Sequence, residues 1–220
     1  NGEVEIKAYF DHLDYKNIEL IKSDLILDCT DNLETRFLIN EFAVKNKIPW
    51  IYSAVIRSSG YVFNILPDSP CFQCIIKERK SLETCETAGV LNTIVNVISS
   101  LQVNEALKII LKKDCERKLL FFNIWNNTLT KIDVKKDKNC PACNQGFVYL
   151  TGEIKQDIVK FCGSNNFMIT GKFDFNKTKA RLRNIGKISD WGASFNFENL
   201  TIFKSGKVLI KAKDEKEAAS

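Results

Sequence analysis

Residues 25–40 read Leu-Ile-Leu-Asp-Cys-Thr-Asp-Asn-Leu-Glu-Thr-Arg-Phe-Leu-Ile-Asn, and this stretch decides the fold. Leu25 to Cys29 is a short apolar run bounded by Asp24 and Thr30, the pattern of a strand buried in a parallel sheet. Thr30-Asp31-Asn32 is a helix-start signal, and Glu34 follows Asp31 by three residues as in a capping box. The helix is predicted to run to about Asn46 and to stop before Pro49. Trp50 to Val55 and Tyr61 to Leu66 read as two more strands. Strand, helix and strand in that order, with a buried first strand, predict an α/β domain with a largely parallel sheet.

Upstream of this stretch, Val4 to Phe10 alternates apolar and polar residues as a half-buried strand does, and Tyr15 to Lys22 suits a short helix. Downstream, Val90 to Leu111 reads as a long helix. Leu91, Ile94, Ile98 and Leu101 share one face, and enough apolar residues lie elsewhere that most of the helix is expected to be buried. Leu119 to Trp125 and Leu129 to Val134 predict a hairpin around Asn126-Asn127. A linker is expected at 144–153, which contains Gly146 and Gly152. Beyond it, short strands and one helix over Asn176 to Asn184 predict a small α+β unit. The expected division is thus 1–146 and 155–220.

The 220 residues are 45% hydrophobic and 27% charged, the balance of an ordinary globular protein. The net charge of +5 is mild, and most lysines lie in mixed-sign surroundings such as Lys211 to Glu217. That argues against a nucleic-acid-binding surface. No apolar run approaches the roughly 18–20 residues of a membrane helix. The chain opens on Asn1 without an initiator Met or signal peptide and closes on what reads as the first turns of a helix. The expectation is a piece of a longer protein.

Four of the eight cysteines form two Cys-x-x-Cys pairs, Cys71/Cys74 and Cys140/Cys143, separated by 65 residues. Each pair can make one thiolate knuckle, and two knuckles complete a closed tetrahedral site of four thiolates, of the structural zinc type. A redox Cys-x-x-Cys and an iron–sulfur cluster are the competing readings. A nucleic-acid zinc ribbon would need a far shorter insert, roughly 15–20 residues. Thiols used in this way favour a reducing cytoplasm. Of the rest, Cys29 is expected in the core and Cys115 at the surface, Cys162 has no assigned role, and His12 reads as an ordinary surface residue. Asp31 stands just past the carboxyl end of the buried strand, where ligands bind in open α/β sheets. A carboxylate there could hold Mg²⁺ on a nucleoside triphosphate, or it could simply cap the helix.

Several segments together shift that balance. Leu27-Asp-Cys-Thr-Asp-Asn32 with Arg36 and Asn40 resembles the signature of the ThiF/MoeB/HesA family, bacterial and archaeal relatives of the ubiquitin-activating enzymes. Ala54 to Leu66, Pro70-Cys71-x-x-Cys74, Cys85-Glu-Thr-Ala-Gly-Val-Leu91, Ser100-Leu-Gln102-x-x-Glu105-Ala-Leu-Lys108 and Cys140-Pro-x-Cys143 resemble the family in order and spacing. The resemblance covers residues 1 to about 146. From Phe161 to Ile210 the chain looks, more loosely, like the C-terminal extension of some ThiF proteins.

The resemblance implies a Rossmann-like adenylation domain with a small α+β domain after it. Its members bind ATP and magnesium and adenylate the C-terminal glycine of a ubiquitin-like sulfur carrier of the ThiS or MoaD kind, for thiamin or molybdopterin synthesis. Carried over by motif, Asp31 is the metal-binding and adenylation aspartate, and Cys71, Cys74, Cys140 and Cys143 are the zinc ligands. Cys85 matches a cysteine that can link covalently to the carrier during sulfur transfer. Its neighbours Lys77, Arg79, Lys80, Glu83 and Glu86 leave its reactivity open. Residues 77–88 match a loop crossing over the carrier's tail. A homodimer is also implied, with neither a nucleic acid nor a membrane as partner. The family's Gly-rich nucleotide loop, ribose-reading Asp and phosphate-holding Arg and Lys have no match between residues 1 and 220, so the alternative is a non-catalytic, zinc-stapled module that binds a carrier.

Overall fold

The computed structural model describes residues 2–9, 11–76, 88–154, 158–160, 166–171, 173–213 and 217–218. Two units emerge, the first from the described residues of 1–80 and 92–154, the second from those of 81–91 and 155–220.

In the first unit a five-stranded sheet has the order β1 (Ile26–Leu27), β2 (Trp50–Ile56), β3 (Ser59–Ile65), β4 (Leu119–Asn123), β5 (Thr128–Ile132). The α/β class is as expected, but among the described residues parallel pairing is confined to β1 and β2, where Ile26 faces Trp50 and Leu27 faces Ile51. From β2 onward every pairing is antiparallel. Connection length explains this. A parallel pair needs a crossover, which α1 (Leu33–Asn46) supplies between β1 and β2. The two residues Arg57 and Ser58 between Ile56 and Ser59 allow only a hairpin, and Arg57 takes the left-handed conformation (φ 55°) that such a tight turn requires. Asn127 (φ 53°) does the same in the β4–β5 hairpin.

Helix α1 packs Phe37, Leu38, Phe42 and Ala43 into a core with Trp50, Tyr52, Phe63 and Phe72. The aromatic rings of Trp50, Tyr52 and Phe72 meet edge-on or tilted at 4.9–6.4 Å. Phe72 belongs to the four-residue helix α2 (Phe72–Ile75), so the first cysteine knuckle is anchored in the same core. Helix α3 (Asn92–Ile110) lies on β2 and β3 through Ile94 and Ile98. Gly60 permits the close approach, since a Cβ there would stand 2.3 Å from Cγ1 of Ile98.

Several expectations are corrected. Residues 4–9 form no strand, and Val4, Ile6 and Tyr9 are exposed; alternation supplies a strand only where a neighbouring edge accepts its hydrogen bonds. Within 15–22 only Ile18–Ile21 is helical, as a 3-10 turn. Cys29 is exposed rather than in the core, because β1 ends at Leu27. Cys115 is half-buried. Helix α3 is not buried all round: Val103, Leu107 and Ile110 are exposed on one face. Its buried stripe runs Ile94, Ile98, Gln102, Glu105, so polar residues take the inner positions of its second half. The segment 147–150 is no free linker. Tyr149 stacks on Phe37 at 5.0 Å, and its backbone is tied to α1.

The second unit is a six-stranded sheet in the order β6 (Ile158–Lys160), β7 (Asn166–Thr170), β11 (Lys207–Lys211), β10 (Leu200–Phe203), β9 (Ser194–Phe197), β8 (Ser189–Asp190), antiparallel throughout. Helix α4 (Phe175–Arg183) is capped by Asp174, whose side chain accepts from Lys177 N. Phe175, Phe195, Phe197 and Ile202 form its core.

Candidate functional site

The two Cys-x-x-Cys pairs converge. The first follows β3 and the second follows β5, and because β3 and β5 run in the same direction either side of β4, their carboxyl ends lie at one end of the sheet. Cys71 Sγ lies 3.9 Å from Cys74, 3.4 Å from Cys140 and 3.5 Å from Cys143, and Cys74 lies 3.7 Å from Cys143. All four sulfurs fall within 4.8 Å of one another, a group that could hold a metal ion. Sulfurs at the corners of a tetrahedron with a metal–sulfur bond of about 2.3 Å stand about 3.8 Å apart, so the spacing fits a tetrahedral ion.

The electrostatics fit as well. Burial, aided by the neighbouring Cys74, pushes the Cys71 thiol up to about 12. Burial likewise takes Cys140 to about 12 and Cys143 to about 11. Cys74 is also penalised by burial, yet the amides of Asp137 and Cys71 hold it below the ordinary thiol value. Four sulfurs this close cannot all ionise unless a cation stands among them. Asn40 Nδ2 is a buried donor with no hydrogen-bond partner among the described residues. It lies beside Cys71 and favours the charged sulfur, so a thiolate there would satisfy it.

The second constellation surrounds Asp31. Asn32, not Asp31, is the N-cap of α1, its side chain accepting from Thr35 N at 2.8 Å. The cap therefore sits one residue past the expected Asp31, and Asp31 stays exposed past the end of β1. The turn behind it is braced. Asp28 is fully buried and accepts from Thr30 N and Oγ1 and from Arg36 Nε, the last at 2.9 Å. Arg36 also donates through Nη2 to the carbonyls of Thr30 and Ser53 and lies over the Tyr52 ring. Gln102 reaches from α3 to the carbonyls of Asp28 and Ile51 at 2.9 and 3.1 Å. These bonds tie the turn to β2, α1 and α3, and the Asp31 carboxylate beyond it faces solvent.

Cys85 lies outside the described residues, as do Cys162 and most of 77–88. Two residues near the cysteine cluster escaped the sequence reading, Glu41 and Gln73. Glu41 is wholly buried. Burial pushes its carboxyl up, while hydrogen bonds from Leu150, Gln73 and Tyr149 pull it down. The available signal was a single acid inside the apolar helical run Phe37 to Val44, where an unpaired charge would be costly.

No helix among the described residues is long and apolar enough to cross a membrane. Residues 1–142 match the model of the ThiF family. The chain is 32% identical over 226 residues to the sulfur carrier protein ThiS adenylyltransferase of Bacillus subtilis, covering 96% of this chain and 67% of that protein. It is 28% identical to the SAMP-activating enzyme E1 of Haloferax volcanii (74% of this chain, 62% of the relative). It is 30% identical to the molybdopterin-synthase adenylyltransferase of Escherichia coli (57% and 53%). The chain thus spans between about half and two thirds of the length of these relatives. Among solved structures, E. coli MccB with ATP superposes with a TM-score of 0.51 at 14% identity, over 61% of this chain and 44% of that one, a likeness of fold. By the match over residues 1–142 and the identity to the B. subtilis protein, this chain belongs to the ThiF family.

Proposed function

We propose that this chain is part of an adenylyltransferase that activates the C-terminal carboxylate of a ubiquitin-like sulfur carrier with ATP. The carrier's carboxylate attacks the α-phosphorus. The bond from that phosphorus to the bridging oxygen breaks, giving an acyl-adenylate and pyrophosphate. The step joins two anions, so the protein's task is alignment and charge neutralisation. Asp31 is the residue in this chain that would hold the magnesium ion, whose chemistry is to neutralise phosphate charge. The observation that carries this reading is the exposed Asp31 carboxylate, relieved of capping by Asn32 and braced from behind by Asp28 and Arg36. The closed set of four cysteines is read as a structural zinc site. No thiol is needed for adenylation, so Cys85 is reserved for a later sulfur-transfer step. Coverage of 96% of the chain by the ThiS adenylyltransferase, against 57% by the molybdopterin-synthase adenylyltransferase, supports a ThiS-like carrier. Reduced thiols suit a cytoplasmic protein.

The test is carrier-dependent ATP–pyrophosphate exchange, in protein that includes any sequence encoded upstream of Asn1. Asp31→Ala should lower exchange by on the order of 100-fold or more with an unchanged circular dichroism spectrum. Cys85→Ser should leave it near native. Exchange near native in Asp31→Ala would point instead to a carrier-binding module in which this carboxylate has no chemical role.

A further inference from the structure

The four cysteines come from two segments 69 residues apart, and contacts other than the sulfurs also join those segments. Gln73 lies between the cysteines of the first knuckle and Ala142 between those of the second. Ala142 N donates to Gln73 Oε1 at 3.1 Å, so the middle of one knuckle is tied directly to the middle of the other. Gln73 Nε2 donates to Glu41 Oε1 at 3.2 Å. Glu41 Oε2 in turn accepts from Tyr149 N at 2.8 Å and Leu150 N at 2.9 Å, just beyond the second knuckle. Glu41 and Ala142 are completely buried and Gln73 nearly so.

The chain of bonds has a fixed direction. A backbone N–H can only donate, so Ala142 requires the oxygen of the Gln73 amide. That turns the Gln73 NH₂ toward residue 41, which must then be an acceptor there. Tyr149 and Leu150 also donate, so residue 41 must accept from them as well. A carboxylate meets all three demands at once. An amide at residue 41 cannot: with its oxygen toward Tyr149 and Leu150, its NH₂ would face the NH₂ of Gln73. One acid and one amide are therefore needed, in either order along the chain of bonds.

We propose that Glu41 and Gln73 are positioning residues for the metal centre, forming a polar tie that holds the two cysteine knuckles at ligand spacing before and after the ion binds. The proposal rests on the reading of the four cysteines as a zinc site. Groups of this kind around a metal are worth about 10- to 100-fold in affinity, and pre-setting the ligands lowers the ordering that binding demands.

The test uses the whole chain, stripped of metal and titrated with zinc in competition with a chromophoric chelator, and with cobalt(II) followed by its thiolate charge-transfer and d–d absorption. Gln73→Glu sets two carboxylates against each other, and Glu41→Gln sets two NH₂ groups against each other. Each should weaken zinc binding by about 10-fold or more. The exchanged pair, Glu41→Gln with Gln73→Glu, restores every donor to an acceptor and should recover affinity to within a few-fold of native, together with the native cobalt spectrum. A role in packing alone would not produce that recovery, since all four forms have almost the same shape. If the single variants do not fold, recovery of a soluble, zinc-binding exchanged form supports the tie, and an exchanged form as poor as the singles overturns it. Native-like affinity in both single variants also overturns it. Failure of the native chain to bind zinc or cobalt through its thiols would overturn the zinc reading itself, an outcome distinct from the others.

Discussion

Asp31 and Asn32 stand side by side, and either type of side chain could cap the helix that follows. Which of them does so depends on backbone course. Asn32 has extended φ and ψ (−131°, 150°), and its side chain reaches Thr35 N. A capping side chain is worth about 1 kcal/mol. Asn32→Ala should therefore lower stability to urea by about that amount, while Asp31→Ala should change it by less than about 0.5 kcal/mol. Equal losses in the two variants would show that Asp31 shares the cap. The sequence located this turn and its acid. It missed the assignment by one residue because Asp and Asn are almost equally good caps, and only the observed dihedral angles separate them.

At the scale of elements, α1 joins the two constellations. Its first residues follow the Asp31 turn, while Asn40 and Glu41, two turns on, hold the first knuckle and the segment after the second through Phe72 N, Gln73 Nε2, Tyr149 N and Leu150 N. Structural zinc in small domains contributes on the order of 10 kcal/mol, so loss of the ion should be felt where the knuckles dock. With zinc bound at one ion per chain by elemental analysis, chelation should speed hydrogen exchange at the amides of Phe72, Cys74 and Ala142. The amides of β9, β10 and β11, which belong to the second unit, should be unaffected. Unchanged exchange at all three knuckle amides would mean that hydrogen bonds and apolar packing alone hold the knuckles. The Cys spacing made the four-cysteine cluster legible. Gln73 and Glu41 were not, because a polar residue in a buried run has meaning only once its partner, far along the chain, is known.

At the scale of the molecule, α3 leaves Val103, Leu107 and Ile110 on one exposed stripe at helical spacing, with Leu111 beside it. The expected homodimer would cover such a face. Sedimentation at micromolar concentration should give the mass of two chains, and Leu107→Glu should shift it toward one by placing a charge in an apolar interface. A native monomer, or a dimer indifferent to that substitution, would remove α3 from the interface.

By itself the sequence determined the α/β class, the hairpins, the two Cys-x-x-Cys pairs as a candidate metal site and the turn that carries Asp31. Each of these is written locally, in a period, a Cys-x-x-Cys spacing or a short motif, and needs no distant partner to be recognised. Only the tertiary structure decided that parallel pairing among the described residues is confined to β1 and β2, that residues 4–9 form no strand, that α3 keeps an apolar face outside, and that residues 147–150 dock on α1. Each of those depends on where an unpaired backbone group or apolar face finds its complement. That complement lies tens of residues away, where no local pattern records it.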